Sequence, residues 1–565
     1  MRRDLDALTD REFDLLVVGG GIHGVAIAYD AAQRGLRVAL IEKGDFGSAT
    51  SSNSLKIVHG GLRYLQHADL RRMRESIRER RILLRIAPHL VHPLPFLVPT
   101  YGHLIKGPEV FAVALALNGL IGADRNRRLP PEQRLPWGEI VPAAEFRKLA
   151  PMVDGKNLTG GVIWYDAQMY SSERLLLAFA QSAAEAGAQL ANYVEATGYL
   201  VRDGRVYGVK AADRLNGQVF DIRARLTVNA CGPWYNEVLR RLGIRTEREP
   251  LCLSVALNLV STRKLTHEYA VGFYSHKQYR DQDSVLSRGS RLLFIAPWRE
   301  VNLVGTAHLP YEGKANGFAI QGRVLFDFLR EVQEALPAAG LRVEDIRFYH
   351  AGLLPMKPVR GSTDNVTLTK RHQIVDHEKV HRLPGVVSLI GVKYTTARAV
   401  AEEVTDLAVR RLGVKTPGAQ TAETPLCGGE MESFAEFAQC KLPLLRKYLP
   451  EKTAQVLLHC YGTRFQELIR YFEISPYWAE AVGPDLPVVK AQILHAVRRE
   501  MACKLSDVVF RRTDMAMFGL PNAEALRTAA EIMANELGWN GRRIRQEMEE
   551  VQAVFRPLEE LAAGR

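Results

Sequence analysis

Cysteine is scarce in this sequence and never paired. Six residues, at 231, 252, 427, 440, 460 and 503, are spread over 565 positions, and no two form C-x-x-C. That spacing argues against a zinc ribbon or a disulfide framework; reduced thiols in a cytoplasmic setting are expected, and no metal site. Long apolar runs are missing as well. The longest, Val110–Leu117, is broken by Asn118 and Gly119. It falls short of the ~18 residues a membrane span requires, so any membrane contact has to be peripheral; for a cytoplasmic chain the inner face of the cytoplasmic membrane is the side expected. The start, MRRDLDALTD, carries an arginine pair but no apolar core behind it, and no secretion signal is expected. There is no internal repeat and no low-complexity tract. Acidic residues are in deficit: 75 Lys+Arg against 63 Asp+Glu leave a net charge of +12. This balance suits a phosphate substrate, acidic lipid headgroups or nucleic acid, or simply a solvated basic surface. The basic residues are dispersed and no nucleic-acid motif is present, so no nucleic-acid partner is expected.

What is present is a globular composition, 47% hydrophobic and 24% charged. The length calls for roughly two to four domains. The organising stretch is Leu15–Glu42, LLVVGGGIHGVAIAYDAAQRGLRVALIE. An apolar run of strand length leads into Gly19, Gly21 and Gly24 in G-x-G-x-x-G spacing. A segment of helical length follows, then a second apolar run ending on Glu42. Gly19 permits the turn, Gly21 lets backbone approach a pyrophosphate, and Gly24 lets the helix lie close to the sheet. The helix N-terminus offers free N–H groups to the phosphates. Glu42, 23 positions after Gly19, can accept ribose hydroxyls. Three glycines alone would mark only a turn; the whole strand–turn–helix–strand–Glu unit marks an adenine dinucleotide, NAD or FAD.

Further along, Ala68–Ile86 is an arginine-dense helix with Leu70, Met73, Ile77 and Leu84 on one face. Its arginines read as a solvated face partnered by Glu75 and Glu79, or as a membrane-surface or interface helix. Residues 87–99, with four prolines, read as extended and broken. Residues 109–122 read as an apolar helix and 125–136 as an exposed loop. Strands are expected at Tyr193–Val201, Arg205–Lys210, Gln218–Arg223 and Leu226–Ala230, and then over much of 250–310. Val386–Ile390 reads as a buried strand and Ala397–Leu412 as a long helix. Residues 413–430, with two prolines and four glycines, read as a linker, and helical periodicity dominates beyond.

Three segments could return to one sheet: the dinucleotide unit, the strand ending in NACGPW at 229–234, and the turn IGVKYTTAR at 390–398. This is the layout of a flavoprotein, in which a late helix N-terminus stabilises negative charge on the flavin pyrimidine. The detail agrees. SLKIVHGGLRYL at 54–65 closely resembles the S-K-L-I-H-G-G-L-R-Y-L signature of FAD-dependent glycerol-3-phosphate dehydrogenases. APHLVHPLPFLVP, IWYDAQ at 163–168, ANYVEA at 191–196, NACGPW, GVKYTTARAVAEE at 391–403 and VFRRT at 509–513 match in the same order.

The resemblance spans essentially the whole chain. It implies the D-amino-acid-oxidase-like fold: an α/β FAD-binding domain of glutathione-reductase-like Rossmann type, an interleaved antiparallel-sheet substrate domain and an all-α C-terminal domain. Residues 1–412 form the core, with FAD-binding segments 12–100, 155–250 and 350–412 and substrate segments 101–154 and 251–349. Residues 413–430 are the linker and 431–565 the helical domain. The implied reaction is oxidation of sn-glycerol 3-phosphate to dihydroxyacetone phosphate, with electrons passed to membrane quinone or to oxygen. A homodimer is implied by the same resemblance.

By that resemblance His59 and Lys393 are the catalytic pair, with Arg63, Tyr64 and Arg371 at the substrate. The cofactor residues are Gly19, Gly21, Gly24 and Glu42, then Ser51, Ser52, Gly60 and Gly61, then Ala230, Gly232, Gly391, Thr395 and Thr396. His59 suits a base that takes the hydroxyl proton. Arg63 suits a phosphate fork, and Lys393 adds a point charge. His59 could instead be a structural histidine in a glycine turn, and Arg63 and Lys393 surface charges.

The sequence also departs from the family. Its A-G-x-R-P segment is here Ala351-Gly352-Leu353-Leu354-Pro355, so Leu354 replaces an arginine that grips phosphate. Val392 replaces the second glycine of G-G-K, and the Asp-rich element is Met169–Glu173. The lost fork is worth about 1.5–3 kcal/mol. Lys357, Arg360 or Arg371 are the candidates to compensate. Otherwise the enzyme would act on a different polyol, hydroxy acid or amine. A non-enzymatic nucleotide sensor or nucleic-acid binder has only the net charge in its favour.

Overall fold

The computed structural model describes residues 1–67, 69–103, 107–244, 250–278, 290–358 and 366–564; the side chains of Arg63, Gln66, His67 and Gln278 lie outside it. Two sheets meet at the carboxyl ends of the first sheet's parallel strands. In that sheet the order is Gln373–Asp376, Val386–Ile390, Val219–Asn229, Glu12–Val18, Val38–Ile41, Gln189–Ala191, and all neighbours but the first pair run parallel. Such strands are covered on both faces and so read as unbroken apolar runs. Leu15 and Val17 face a core shared with the helices Ile22–Gln33, Ser172–Glu185 and Ala397–Leu412; Leu16 and Val18 face the opposite core.

Two expected strands prove to be one. Val219–Asn229 pairs antiparallel with Arg205–Asp213 over its first half, then parallel with Glu12–Val18. Arg225, which interrupts the apolar pattern, stays in the strand because its guanidinium reaches Leu412 O (2.9 Å) and Asp14 (3.3 Å).

The second sheet has nine strands. Its eleven-residue strand Val91–Tyr101 is the proline-rich stretch expected to be broken. Pro93, Pro95 and Pro99 sit two or four apart, so their missing donors fall on one edge and the other edge keeps its ladder with Leu158–Met169. Both strands, like Ile57–Val58, belong to this larger sheet by pairing. The segments 12–100 and 155–250 drawn from sequence therefore cross from one sheet to the other.

The arginine-dense helix spans Leu70–Ile86, and the surface reading covers only part of it: Arg71, Arg74 and Arg78 are exposed, while the opposite side carries polar groups inward. Arg72, Ser76, Glu79 and Arg80 are buried. Glu79 takes a two-pronged contact from Arg398 (2.7 and 2.7 Å), and Arg80 pairs with Asp166. The helix ties the two sheets together.

Residues 413–430, expected as a linker, carry no helix or strand; 413–420 run along the surface, and the second half is packed on the core. Leu426 N donates to Ile86 O (2.8 Å), Thr421 Oγ1 to Asp30 (3.2 Å) and Cys427 N to Ser182 Oγ (2.9 Å). Beyond 430 the described residues form helices and one isolated bridge, Ala481 to Val489. This helical part grips the core through buried ions. Arg512 donates to Asp45 at 2.5 and 2.7 Å, Arg511 to Asp45 at 2.6 Å, and Arg174 to Glu500 at 2.7 and 2.9 Å.

Candidate active site

The parallel strands end at Val18, Ile41, Asn229 and Ile390, and a crevice is expected just beyond such ends. A cavity of about 1730 Å³ opens there, walled on the far side by the nine-stranded sheet. Gly19, Gly21, Glu42, Ser51, His59, Gly61, Tyr64, Ala230, Gly232, Gly391, Lys393 and Thr395 all line it. Residues separated by more than 300 positions thus share one wall.

The nucleotide end is built by close backbone contacts. Gly19 has φ +110°, and a Cβ there would stand 2.7 Å from Ala230 O. A Cβ on Gly24 would stand 1.8 Å from Gly19 O, so the helix can meet the turn only as glycine. At Gly21 the sole close neighbour is Ser51 Oγ, 3.3 Å from an added Cβ, which leaves room for a ligand's phosphates beside the backbone. Ile22 N donates to the same hydroxyl (3.0 Å). Glu42 accepts from Gly20 N (2.6 Å) and Gly44 N (2.8 Å); burial pushes its carboxyl up, and these two donors offset only part of that rise. A carboxylate so bound keeps lone pairs for ribose hydroxyls. These residues fit an adenine dinucleotide.

The reacting end gathers around Tyr64. The His59 ring lies 5.9 Å from the Tyr64 ring, centroid to centroid, and Lys393 Nζ lies 4.0 Å from the same centroid. Gly60 N donates to Asp166 (2.5 Å), so the IWYDAQ strand holds the HGGLRY turn. A Cβ on Gly60 would reach within 2.3 Å of Arg80, and one on Gly61 within 2.3 Å of the Tyr64 ring. Burial, with Arg72 nearby, lowers the Lys393 ammonium to about 7. A lysine in that range can hold or yield a proton near neutrality. Against Gly391 stands His23, half-buried on the cavity wall and lowered to about 4, chiefly by burial.

Several expected residues stand behind the wall or outside it. Gly24, Ser52, Gly60 and Thr396 are not on the cavity surface. Ser52 donates to Gly47 O (2.5 Å) and shapes the loop. Arg371 does not line the cavity: its side chain is 65% exposed and pairs with Asp69 at 3.2 Å, while its neighbour Lys370 lines the cavity instead. The side chain of Arg63 and all of Arg360 lie outside the described residues.

The cavity also exposes residues that the sequence reading passed over. Asn258 and Thr306 come from adjacent strands of the large sheet and are joined at 2.7 Å, with Asn258 Nδ2 buried and without a hydrogen bond. Nothing local marks them. Arg72 did leave a signal: positions 72, 76, 79 and 80 make a polar stripe at helical spacing, and here that stripe faces inward.

Fold and site together define a two-sheet dinucleotide enzyme of the flavoprotein class. The profile described as FAD dependent oxidoreductase matches residues 14–407, and that of the C-terminal domain of alpha-glycerophosphate oxidase matches 419–544. The glycerol-3-phosphate dehydrogenase of Synechocystis sp. is 30% identical over 95% of both chains. The mitochondrial glycerol-3-phosphate dehydrogenase of Mus musculus is 31% identical over 95% of this chain and 72% of its own. In fold, the chain resembles the Bacillus halodurans glycerol-3-phosphate dehydrogenase solved with FAD: TM-score 0.76, 23% identity, 98% of this chain and 96% of that one. The chain belongs to the FAD-dependent glycerol-3-phosphate dehydrogenase family. It is an oxidoreductase, and its cofactor is FAD.

Proposed function

We propose that the protein oxidises sn-glycerol 3-phosphate to dihydroxyacetone phosphate. The observation that carries this reading is the convergence of His59, Tyr64 and Lys393 on the cavity that also holds the nucleotide cradle. When bound, FAD supplies the hydride acceptor. His59 takes the hydroxyl proton of the substrate's secondary alcohol. Lys393, charged in the presence of an anion, attracts the phosphate and steadies the charge that grows on the alcohol oxygen. Tyr64 seats the lysine and borders the histidine. Gly19, Gly21, Glu42 and Ser51 would hold the adenine half of the cofactor, and Gly391, Thr395 and the start of helix Ala397–Leu412 would serve its flavin half.

A lipid-soluble quinone is the proposed electron acceptor. The helix Pro108–Ile121 buries only Leu115 and Gly119, leaves Val113 60% and Leu120 71% exposed, and lends Val113 and Leu117 to the cavity wall. An apolar face continuous with the site suits a peripheral membrane contact. Among the described residues no helix is long and apolar enough to cross a membrane. Leu354 on the cavity wall favours a second reading, in which the alcohol carries no phosphate.

Anaerobic titration of the yellow holoenzyme separates the two. Bleaching by sn-glycerol 3-phosphate supports the first reading; bleaching only by unphosphorylated polyols, hydroxy acids or amines selects the second. Flotation with quinone-bearing anionic vesicles tests the membrane contact, and protein that stays at the bottom of the gradient refutes it.

A further inference from the structure

We propose that Arg72 makes the phosphate contact that Leu354 cannot, closing a cationic cage with Lys393 and Lys370 at the Tyr64 end of the cavity. This rests on the reading of the site given above. Arg72 is 7% exposed and lines the cavity. Its guanidinium carbon stands 3.8 Å from the Tyr64 ring centroid, which also carries Lys393 Nζ at 4.0 Å. One ring therefore bears two cations, Arg72 buried and Lys393 half-buried. Arg72 Nη1 donates to Lys370 O (3.0 Å), fixing the arginine to the segment whose lysine lines the same cavity.

Arg72 has a donor to spare. Arg72 Nε is buried without a hydrogen bond; Asp69 Oδ2, at 3.9 Å, is beyond reach of one. Asp69 is engaged elsewhere: it accepts from Arg72 N at 3.1 Å as the helix cap and pairs with Arg371 at 3.2 Å on the outer side. A buried guanidinium with an idle donor, facing a second cation across one aromatic ring, is costly until an anion arrives. A phosphate ester meets that need. It offers three acceptor oxygens and close to two negative charges, and arginine's planar fork matches its geometry. Leu354, on the same cavity, supplies no donor.

The cage also predicts a proton. Burial first and Arg72 next depress the Lys393 ammonium, with Glu75 and Asp69 offsetting only part of this, so a bound dianion should restore its charge and take up a proton near neutral pH.

The test uses the holoenzyme of wild type, Arg72→Met and Arg72→Lys, with sn-glycerol 3-phosphate as substrate, glycerol as its unphosphorylated counterpart and inorganic phosphate as probe. Arg72→Met keeps a stem to lie on Tyr64 and removes the charge. It is expected to raise KM for the ester and Ki for phosphate about ten- to a hundredfold, with kcat changed far less, and so to erase the preference for the ester over glycerol. Arg72→Lys, the gentler change, should fall between the two. Phosphate alone should raise the thermal midpoint of wild type with proton uptake, and less so in either variant. If Arg72→Met fails to fold, Arg72→Lys decides by the same constants. Variants that keep their flavin and match wild type in KM, Ki and phosphate-induced shift overturn the proposal. A wild-type holoenzyme inert to the ester would instead overturn the functional reading, and the phosphate-induced shift would still judge the cage.

Discussion

Removing Arg512 should loosen the helical domain from the nucleotide loop. Arg512 and Asp45 are both fully buried. The arginine gives Asp45 two hydrogen bonds, at 2.5 and 2.7 Å, and gives Glu500 O two more, at 3.3 and 3.0 Å. Burial pushes the Asp45 carboxyl up, and Arg512 and Arg511 override it and hold it low. In Arg512→Met the apolar volume is largely kept and the ion is lost. Asp45 then retains Arg511 (2.6 Å) and Asn192 (3.0 Å). Breaking one side of a buried pair costs about 3–5 kcal/mol, and the remaining partners place this case near the lower end, about 3 kcal/mol. Asp45 follows Glu42 by three positions, so weaker FAD retention should accompany the loss. The assay is urea unfolding followed by flavin release, on Arg512→Met, Asp45→Asn and the double variant. A coupling of at least about 1.5 kcal/mol between the two sites is expected. Additive effects, or an Arg512→Met protein as stable as wild type, would refute the ion-pair reasoning.

Three further outcomes are expected. His59→Ala should keep FAD yet lose about a hundredfold or more in flavin reduction rate, read by rapid mixing; an unchanged rate removes His59 from the chemistry. Because the Lys393 ammonium is lowered to about 7 and only its charged form attracts an anion, affinity for the phosphate ester should fall as pH rises through 7. Lys393→Ala should bind weakly with no such dependence, and a surviving pH profile would assign it to another group. His89, His92 and His459 meet at the junction of the core and the helical domain, His459 stacked 4.1 Å over Tyr170. Burial first, then neighbouring cations, lowers His89 to about 3 and His459 well below its ordinary value; burial lowers His92 to about 4. The unfolded chain therefore binds protons below pH 6.5 that the folded one refuses, so stability present above that pH is lost as pH falls toward 4. Each histidine contributes about 1.4 kcal/mol per pH unit in that window. The urea midpoint should drop between pH 7.5 and 5.5, and by less in His459→Phe; a flat profile contradicts the account.

Local pattern was enough for some elements and misled for others. The helix Ala397–Leu412 was readable to its last residue, because a buried strand precedes it and Gly413, at φ +65°, stops it. Val91–Tyr101 was not, because three prolines look like breakers until their shared edge is known. Arg72 looked like surface decoration among seven arginines of one helix, and only the packing of that helix under Lys370 and Tyr64 turned it inward.

The sequence by itself determined the nucleotide cradle, since its turn, helix and terminal glutamate lie within one short stretch and obey short-range sterics. It also determined the family, through motifs spread in order along the chain. Only the tertiary structure decided which cations share a cavity, which strands join which sheet and how the tail clamps Asp45. Those outcomes depend on contacts between residues hundreds of positions apart, where burial and pairing, rather than spacing, set the energy.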